Sequence, residues 1–383
     1  MRKLWSAIAE FFRKGDLLLL FLCVITSVFG IVVISSATNY MGASRQIITQ
    51  GVALLIGIAA YVAISLLDVE ILAEHRVFLM FFNFAFIVLL FFFGRERGGN
   101  RAWLSLPGLP FDIQPAEICK ITFVIILAKT MSIHQNRISS LRSVGSIGLQ
   151  TFVMFALIVV ITKDAGSALV YLFIFLVMAY VGGVKGWWFL GGFAAVAAIV
   201  PYAGERLLRA DQLQRVMVFF DPSIDPTGQG VLWDTNRSIT MLSGGGVAGQ
   251  GLFHGSLTQK GAIAAQHTDF IFSTIGEELG ILGCIFTLLL LTAIIIRCIH
   301  TGVRTPNYMN RLVCFGIASM LIFQILINVG MCIGVLPVIG LTLPFISYGG
   351  SSLITVFLAM GVVSSIHMRP DPEAASPYVQ PRY

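Results

Sequence analysis

Residues 266–296 read QHTDFIFSTIGEELGILGCIFTLLLLTAIII. After Asp269 the only charges in this run are Glu277 and Glu278. About 20 helical residues at 1.5 Å each cross the roughly 30 Å hydrocarbon core of a bilayer, so the run is long enough to span one. A helix is the form it must take, because in hydrocarbon every backbone polar group has to be satisfied from within. Asp269 closes a long polar loop and is the last charge before the apolar run. A carboxylate at a membrane surface is placed to take a proton from a substrate held there by a lipid tail.

The rest of the chain repeats the pattern. Hydrophobic residues fill 57% of the 383 positions and charged residues 11%, too few charges for a soluble surface. Ten stretches read as transmembrane helices: 17–37, 47–67, 77–94, 115–132, 147–162, 165–184, 187–203, 270–296, 312–333 and 343–366. Lys and Arg in the short loops set the orientation. One side carries 14 of them, from Arg2 and Lys3 through Lys185 to Arg382, and the other side only Arg45, Arg95, Arg97, Arg101 and Lys163. The first side is therefore cytoplasmic and holds both termini. The expected fold is an all-α polytopic membrane protein of about ten transmembrane helices. It forms a single domain over 1–383, with a long extracytoplasmic loop, 204–269, between helices 7 and 8. The net charge of +6 fits cytoplasmic loops facing anionic lipid and calls for no nucleic-acid partner.

The first apolar stretch is too long for a signal peptide and reads as an uncleaved span. Residues 1–14 place Leu4, Trp5, Ile8, Phe11 and Phe12 at helical spacing among basic residues, which predicts an amphipathic segment in the cytoplasmic interface. The Pro-rich tail 368–383 reads as disordered and cytoplasmic. Six cysteines, all in or beside apolar segments and without a C-x-x-C pair, predict neither a disulfide framework nor a zinc site.

Polar residues inside this apolar frame are the candidates for function. The 204–269 loop carries five basic and six acidic residues, with turn chemistry at Asp221-Pro222 and Asp225-Pro226-Thr227-Gly228. Residues 231–243 suggest a short amphipathic helix on the bilayer. Gly244-Gly245-Gly246 and Gly249-Gln250-Gly251 form either a flexible re-entrant turn or, as the sharper reading, a phosphate cradle. Glu117 and Lys120, three apart at the start of the fourth span, share a helix face and can pair; alternatively Lys120 reaches a phosphate. Arg101 and Arg215 offer planar forks suited to a diphosphate, against the plainer reading of solvated loop residues. Lys163 and Asp164 read as a local pair, and Glu277 and Glu278 as internally hydrogen-bonded. His267 precedes Asp269 by two residues. Segment 334–352 holds Pro337, Pro344 and four glycines and reads as a broken helix buried in protein or lining a cavity, with hydroxyls at Ser347, Tyr348, Ser351 and Ser352.

Taken together, NRAWL, QPAEICK, KDAGSALV, RVMVFFDPSIDPTGQG, SGGGVAGQGL, HTDFIFSTIGEELG and LPVIGLTLPFISYGGSS resemble the SEDS family (shape, elongation, division and sporulation) over most of the chain. Departures occur at Ala264-Ala265-Gln266, at Val231-Leu232-Trp233 and at Lys163, and none touches Asp269. The resemblance implies a peptidoglycan glycosyltransferase of the bacterial cytoplasmic membrane. Such an enzyme polymerises lipid II on the outer face, alongside a class B penicillin-binding protein. The family's essential acid falls on Asp269, and the short termini favour an elongation-type member.

An α-linked diphosphate becoming a β-linked glycan means inversion, for which one general base suffices. Asp269 is the candidate base. Positive charge for the leaving diphosphate is expected from Arg101, Arg215, Lys120 or Lys260, or from magnesium or manganese, with His267, Ser347 and Tyr348 as further substrate contacts. No organic cofactor is expected. Two rival readings stand beside this one: a flippase for lipid-linked precursors, which ten helices and buried charge fit equally, and a non-catalytic scaffold for a penicillin-binding protein.

Overall fold

The computed structural model describes residues 9–369, apart from 43, 98, 106, 109, 110 and 208. Helices dominate. They are α1 (Leu17–Ala37), α2 (Ser44–Leu66), α3 (Val69–Glu74), α4 (Arg76–Phe93), α5 (Pro115–Ile133), α6 (Leu141–Leu157), α7 (Ala165–Val181), α8 (Gly186–Leu207), α9 (Ala210–Phe220), α10 (Trp233–Gly244), α11 (Ile271–Arg304), α12 (Tyr308–Cys332) and α13 (Gly350–Met368). One antiparallel hairpin, β1 (Arg95–Arg97) with β2 (Asn100–Trp103), follows α4. The chain is thus an all-α polytopic protein.

Seven helices among the described residues are long and apolar enough to cross a membrane: α1, α2, α4, α6 with its π-helical extension to Thr162, α11, α12 and α13. Ala165–Val181 and Gly186–Ala198 are shorter apolar helices. Helix α5 is long enough but carries Glu117, Lys120 and Lys129. The expected count of ten is reached only by adding these three to the seven.

The best-buried spans are α12 and α13. Helix α13 packs along α2, and α12 lies against α11, α7 and α5. Two boundaries differ most from expectation. The last span begins at Gly350 rather than 343, because Pro344 and Gly349 keep 343–349 out of helical geometry. Helix α11 runs on to Arg304, past the expected end at 296.

Gly280, at φ 67° and ψ −163°, breaks α11 two turns from its start. A break at membrane depth strands carbonyls and amides that must find partners. The glycine cluster supplies them. Gln250 N donates to Glu277 O and Gly251 N to Glu278 O, both at 2.9 Å, while Ile281 N and Leu282 N donate to Gly246 O and Val247 O at 3.0 and 3.2 Å. A Cβ at Gly245 would sit 1.9 Å from Gly276 O, and one at Gly249 2.1 Å from Glu278 O. Only bare backbone fits so close. The amides of 250 and 251 are spent on the helix, which removes the phosphate-cradle reading.

The long loop is also more structured than expected. Helix α9 was not anticipated, and Gln212 ties its start to Lys163 O at 3.0 Å. Helix α10 does not merely rest on lipid. It packs on α11, with Ser238 bonded to Ser273 at 2.5 Å and to Cys332 O at 2.6 Å.

Of the 1–14 segment, residues 9–14 are helical and 1–8 lie outside the described residues, as do 370–383 of the expected tail. Phe11 is buried and meets the Tyr61 ring edge-on at 6.1 Å. Residues 9–14 therefore dock on the bundle through Phe11.

Candidate active site

Asp269 sits in a chain of tight turns that delivers the loop to α11. Thr268 N and Phe270 N both donate to Ala265 O at 3.1 Å. The broken segment between α12 and α13 grips these turns from the other side. Ser347 Oγ donates to Thr268 O at 2.6 Å, and Tyr348 N to His267 O at 2.9 Å. Asn328 of α12 donates to Asp269 O at 2.8 Å and to Leu341 O at 2.7 Å, joining both segments. A Cβ on Gly340 would lie 3.5 Å from Asp269 Oδ2, so bare backbone borders the carboxylate.

The backbone of Asp269 is thus held firmly while its carboxylate is left open. The residue is partly exposed and makes no ion pair among the described residues. Burial among protein atoms raises its pKa from 3.8 to about 6; Arg215 and a hydrogen bond from Thr268 pull the other way, while Asp164 and Asp234 add to the rise. At neutral pH it is an ionised carboxylate with a free lone pair and raised proton affinity, which is what a general base requires.

The sequence-derived candidates divide. Arg215 is partly buried and acts on both Asp269 and Asp234. His267 lies beside Tyr348, ring centres 5.6 Å apart, and burial lowers its pKa so that the ring is neutral at pH 7. Ser347 is buried, and its hydroxyl both donates to Thr268 O and accepts from Leu343 N. Lys120 is fully buried and paired with Glu117 at 2.6 Å, so its ammonium is committed inside the protein. Arg101 is exposed and donates to Gly94 O at 3.1 Å, bracing the hairpin. Lys260 is exposed, on the turn packed against α1. Arg215 is the cation with the largest effect on the charge state of Asp269.

Three site residues escaped the sequence reading. Asp164 does not pair with Lys163. It caps α7, accepting from Ser167 N at 3.0 Å, Ser167 Oγ at 2.7 Å and Gln114 Nε2 at 3.1 Å. Burial raises its pKa, and it feels Glu117 and Lys120 as well as acting on Asp269. The Asp-x-x-Ser spacing of 164–167 was a legible helix-start signal. Asp234 and Asn328 had no comparable local signal, since only the fold brings α10 and α12 to Asp269.

Among the described residues no group of three or more His, Cys, Asp or Glu is arranged to hold a metal ion. A cavity of about 640 Å³ opens elsewhere, lined by Lys14, Asp68, Glu70, Asn310 and Arg369; it shares no residue with the Asp269 site.

The fold is that of a polytopic helical membrane protein, and its candidate site centres on a carboxylate with no ion pair among the described residues. The particular family follows from comparison. Residues 16–371 match the FtsW/RodA/SpoVE family, described as "Cell cycle protein", and the chain belongs to it. It is 34% identical to the peptidoglycan glycosyltransferase MrdB of Escherichia coli K12 over 72% of this chain and 73% of that one. It is 31% identical to stage V sporulation protein E of Bacillus subtilis over 92% and 96%. Its fold superposes on a chain of a peptidoglycan synthase complex with a TM-score of 0.79 at 31% identity, covering 92% of this chain and 97% of that one. Against the rod shape determining protein RodA of Thermus thermophilus the TM-score is 0.69 at 28% identity, covering 93% and 97%.

Proposed function

We propose that this protein is a peptidoglycan glycosyltransferase of the bacterial cytoplasmic membrane. It polymerises lipid II, the undecaprenyl-diphosphate-linked disaccharide-peptide, on the outer face, with both termini in the cytoplasm. The observation that carries the reading is the Asp269 carboxylate: fixed through its backbone, without an ion pair among the described residues, and with its pKa raised to about 6. The asymmetry of Lys and Arg between the loops supports the outward placement of this site.

In the proposed step the acceptor sugar hydroxyl attacks the anomeric carbon of the donor. The O–H proton passes to Asp269, the new C–O bond forms with inversion, and the bond to the diphosphate breaks, releasing the polyprenyl diphosphate. Arg215 is the cation best placed to balance charge at the site. Burial and pairing turn Lys120 from a diphosphate ligand into a structural residue in this scheme. Among the described residues no donor set is arranged to hold a resident metal, so magnesium or manganese enters the proposal only as a companion of the diphosphate, and no step is routed through it. Grooves between the apolar helices would hold the two lipid tails and align the reactants. A class B penicillin-binding protein is the proposed partner that crosslinks the product.

The test is synthesis of glycan strands from purified lipid II, read on gels, with and without a candidate crosslinking partner. Wild type should make polymer. Asp269→Asn, still expressed and inserted, should make none; polymer from that variant would overturn the base assignment. Exposure of cytoplasm-facing lipid II in vesicles, without polymer, would point instead to a flippase.

A further inference from the structure

Glu277 stands two turns into α11, at membrane depth, where a carboxylate is expensive unless it is fully bonded. It is completely buried, and no cation neutralises it among the described ion pairs. It is instead saturated by donors from one short stretch of the outer loop. Its Oε1 accepts from Leu257 N at 2.8 Å and Ser256 Oγ at 3.2 Å; its Oε2 accepts from Thr258 N at 2.8 Å and Thr258 Oγ1 at 2.6 Å. The contact runs on toward the site. Thr258 O accepts from Gln266 Nε2 at 2.9 Å, and the same amide reaches Ala37 O of α1 at 2.8 Å. Gln266 stands three residues before Asp269 and opens its turns. The charge thus lies at the head of a chain of bonds: α11, Thr258, Gln266, then the turns that present the base.

We propose that Glu277 is a positioning residue for the reaction, fixing the 256–269 segment so that the Asp269 carboxylate meets the acceptor hydroxyl. This rests on the glycosyltransferase reading and extends it to a residue that touches no substrate. The geometry explains why the residue is an acid. Four donors converge on its two oxygens, and an amide presents only one acceptor atom, so Glu277→Gln turns an NH₂ toward one pair of donors. The segment then relaxes by a fraction of an ångström to an ångström, and such a misplacement costs about a hundredfold in rate.

The experiment is steady-state polymerisation of lipid II by the purified full-length protein. Glu277→Gln is expected to lower kcat about a hundredfold with KM for lipid II unchanged. The acid limb of its pH profile should stay where Asp269 sets it. Thr258→Val, which removes one of the four bonds, should show a smaller loss of the same kind, and Thr258→Ser should restore wild-type turnover. Added to Glu277→Gln, Thr258→Val should cost less than it does alone, because its hydroxyl bonds the carboxylate that Gln replaces. If Glu277→Gln does not fold, the Thr258 pair alone decides. Full activity of Thr258→Val or of Glu277→Gln, or a loss confined to KM, overturns the proposal. Asp269→Asn assayed in parallel separates the two claims: if it is inactive while Glu277→Gln is fully active, only the positioning role fails.

Discussion

Helix α11 meets an aspartate at each end, and the two are treated in opposite ways. Near its C-terminal end, the inner one in the proposed orientation, Asp16 is buried and fully engaged. Its carboxylate accepts from Arg297 Nε at 2.7 Å and from Leu19 N at 3.1 Å, while its backbone carbonyl takes the Tyr61 hydroxyl at 2.8 Å. At its N-terminal end, the outer one in the proposed orientation, Asp269 has its backbone held by Asn328 and its carboxylate left without an ion partner among the described residues, with Arg215 acting only from a distance. A carboxylate with all its lone pairs engaged contributes to packing and has nothing left to offer a substrate. One left short of partners costs the folded state free energy and keeps its proton affinity for use. One helix is therefore flanked by a structural acid and by the acid proposed for the chemistry, and the difference lies in their partners.

The largest expected effect breaks this contrast at the outer end. Asp269→Asn should abolish polymerisation and also stabilise the protein. A carboxyl raised from 3.8 to about 6 takes up protons more readily when folded than when unfolded, so stability falls as pH rises from about 4 to about 6. Above that range the penalty is complete and amounts to at most about 3 kcal/mol, which the neutral amide does not incur. Thermal unfolding at pH 7 in detergent checks it; a lower midpoint for Asp269→Asn would contradict the reading of an under-satisfied acid. The inner end should behave in reverse. Asp16→Ala leaves Arg297 unpaired and uncaps α1, costing about 3 kcal/mol, while turnover per folded molecule stays near wild type. The two variants together test whether stability and activity separate along one helix.

The chemistry should also follow pH in a stated direction. A base that must be ionised is lost as pH falls through its pKa, so kcat should decline below about pH 6, the value burial gives Asp269. A limb near 4 would mean that the carboxylate is fully hydrated during turnover.

How much of this was readable from residues alone depends on the range of the interaction. The apolar periodicity of α11, α12 and α13 was plain, because membrane spans are written in composition. Asp269 stood out as the last charge before such a span. The (i, i+3) spacing of Glu117 and Lys120 correctly foreshadowed their 2.6 Å contact, which is local to one helix turn. What stayed hidden was long-range. The glycine cluster at 244–251 reads like an anion cradle until Gly280 is seen to break α11 beside it, and no local signal ties these two segments. Asn328 and Asp234 look ordinary in their own helices and gain meaning only where α12 and α10 close on Asp269. Start and stop signals were weakest where Pro and Gly alternate, which is why 343–349 was read as helix.

The smallest expected effect sharpens the outer end by comparing two cations of the same loop. Arg215 is the leading cation acting on Asp269; Lys260 is exposed on the turn Thr258–Lys260. Without the guanidinium the carboxylate holds its proton more tightly, so Arg215→Ala should move the acid limb of kcat upward in pH. At a fixed pH of about 6.5 that means a smaller fraction of ionised base and a modest fall in rate. If Arg215 also meets the diphosphate, KM for lipid II rises as well, at every pH. Lys260→Ala should change neither the limb nor KM, because its ammonium is exposed and screened by salt. Equal responses from the two variants would mean that net positive charge around the loop, rather than one guanidinium facing the base, sets the electrostatics of the site.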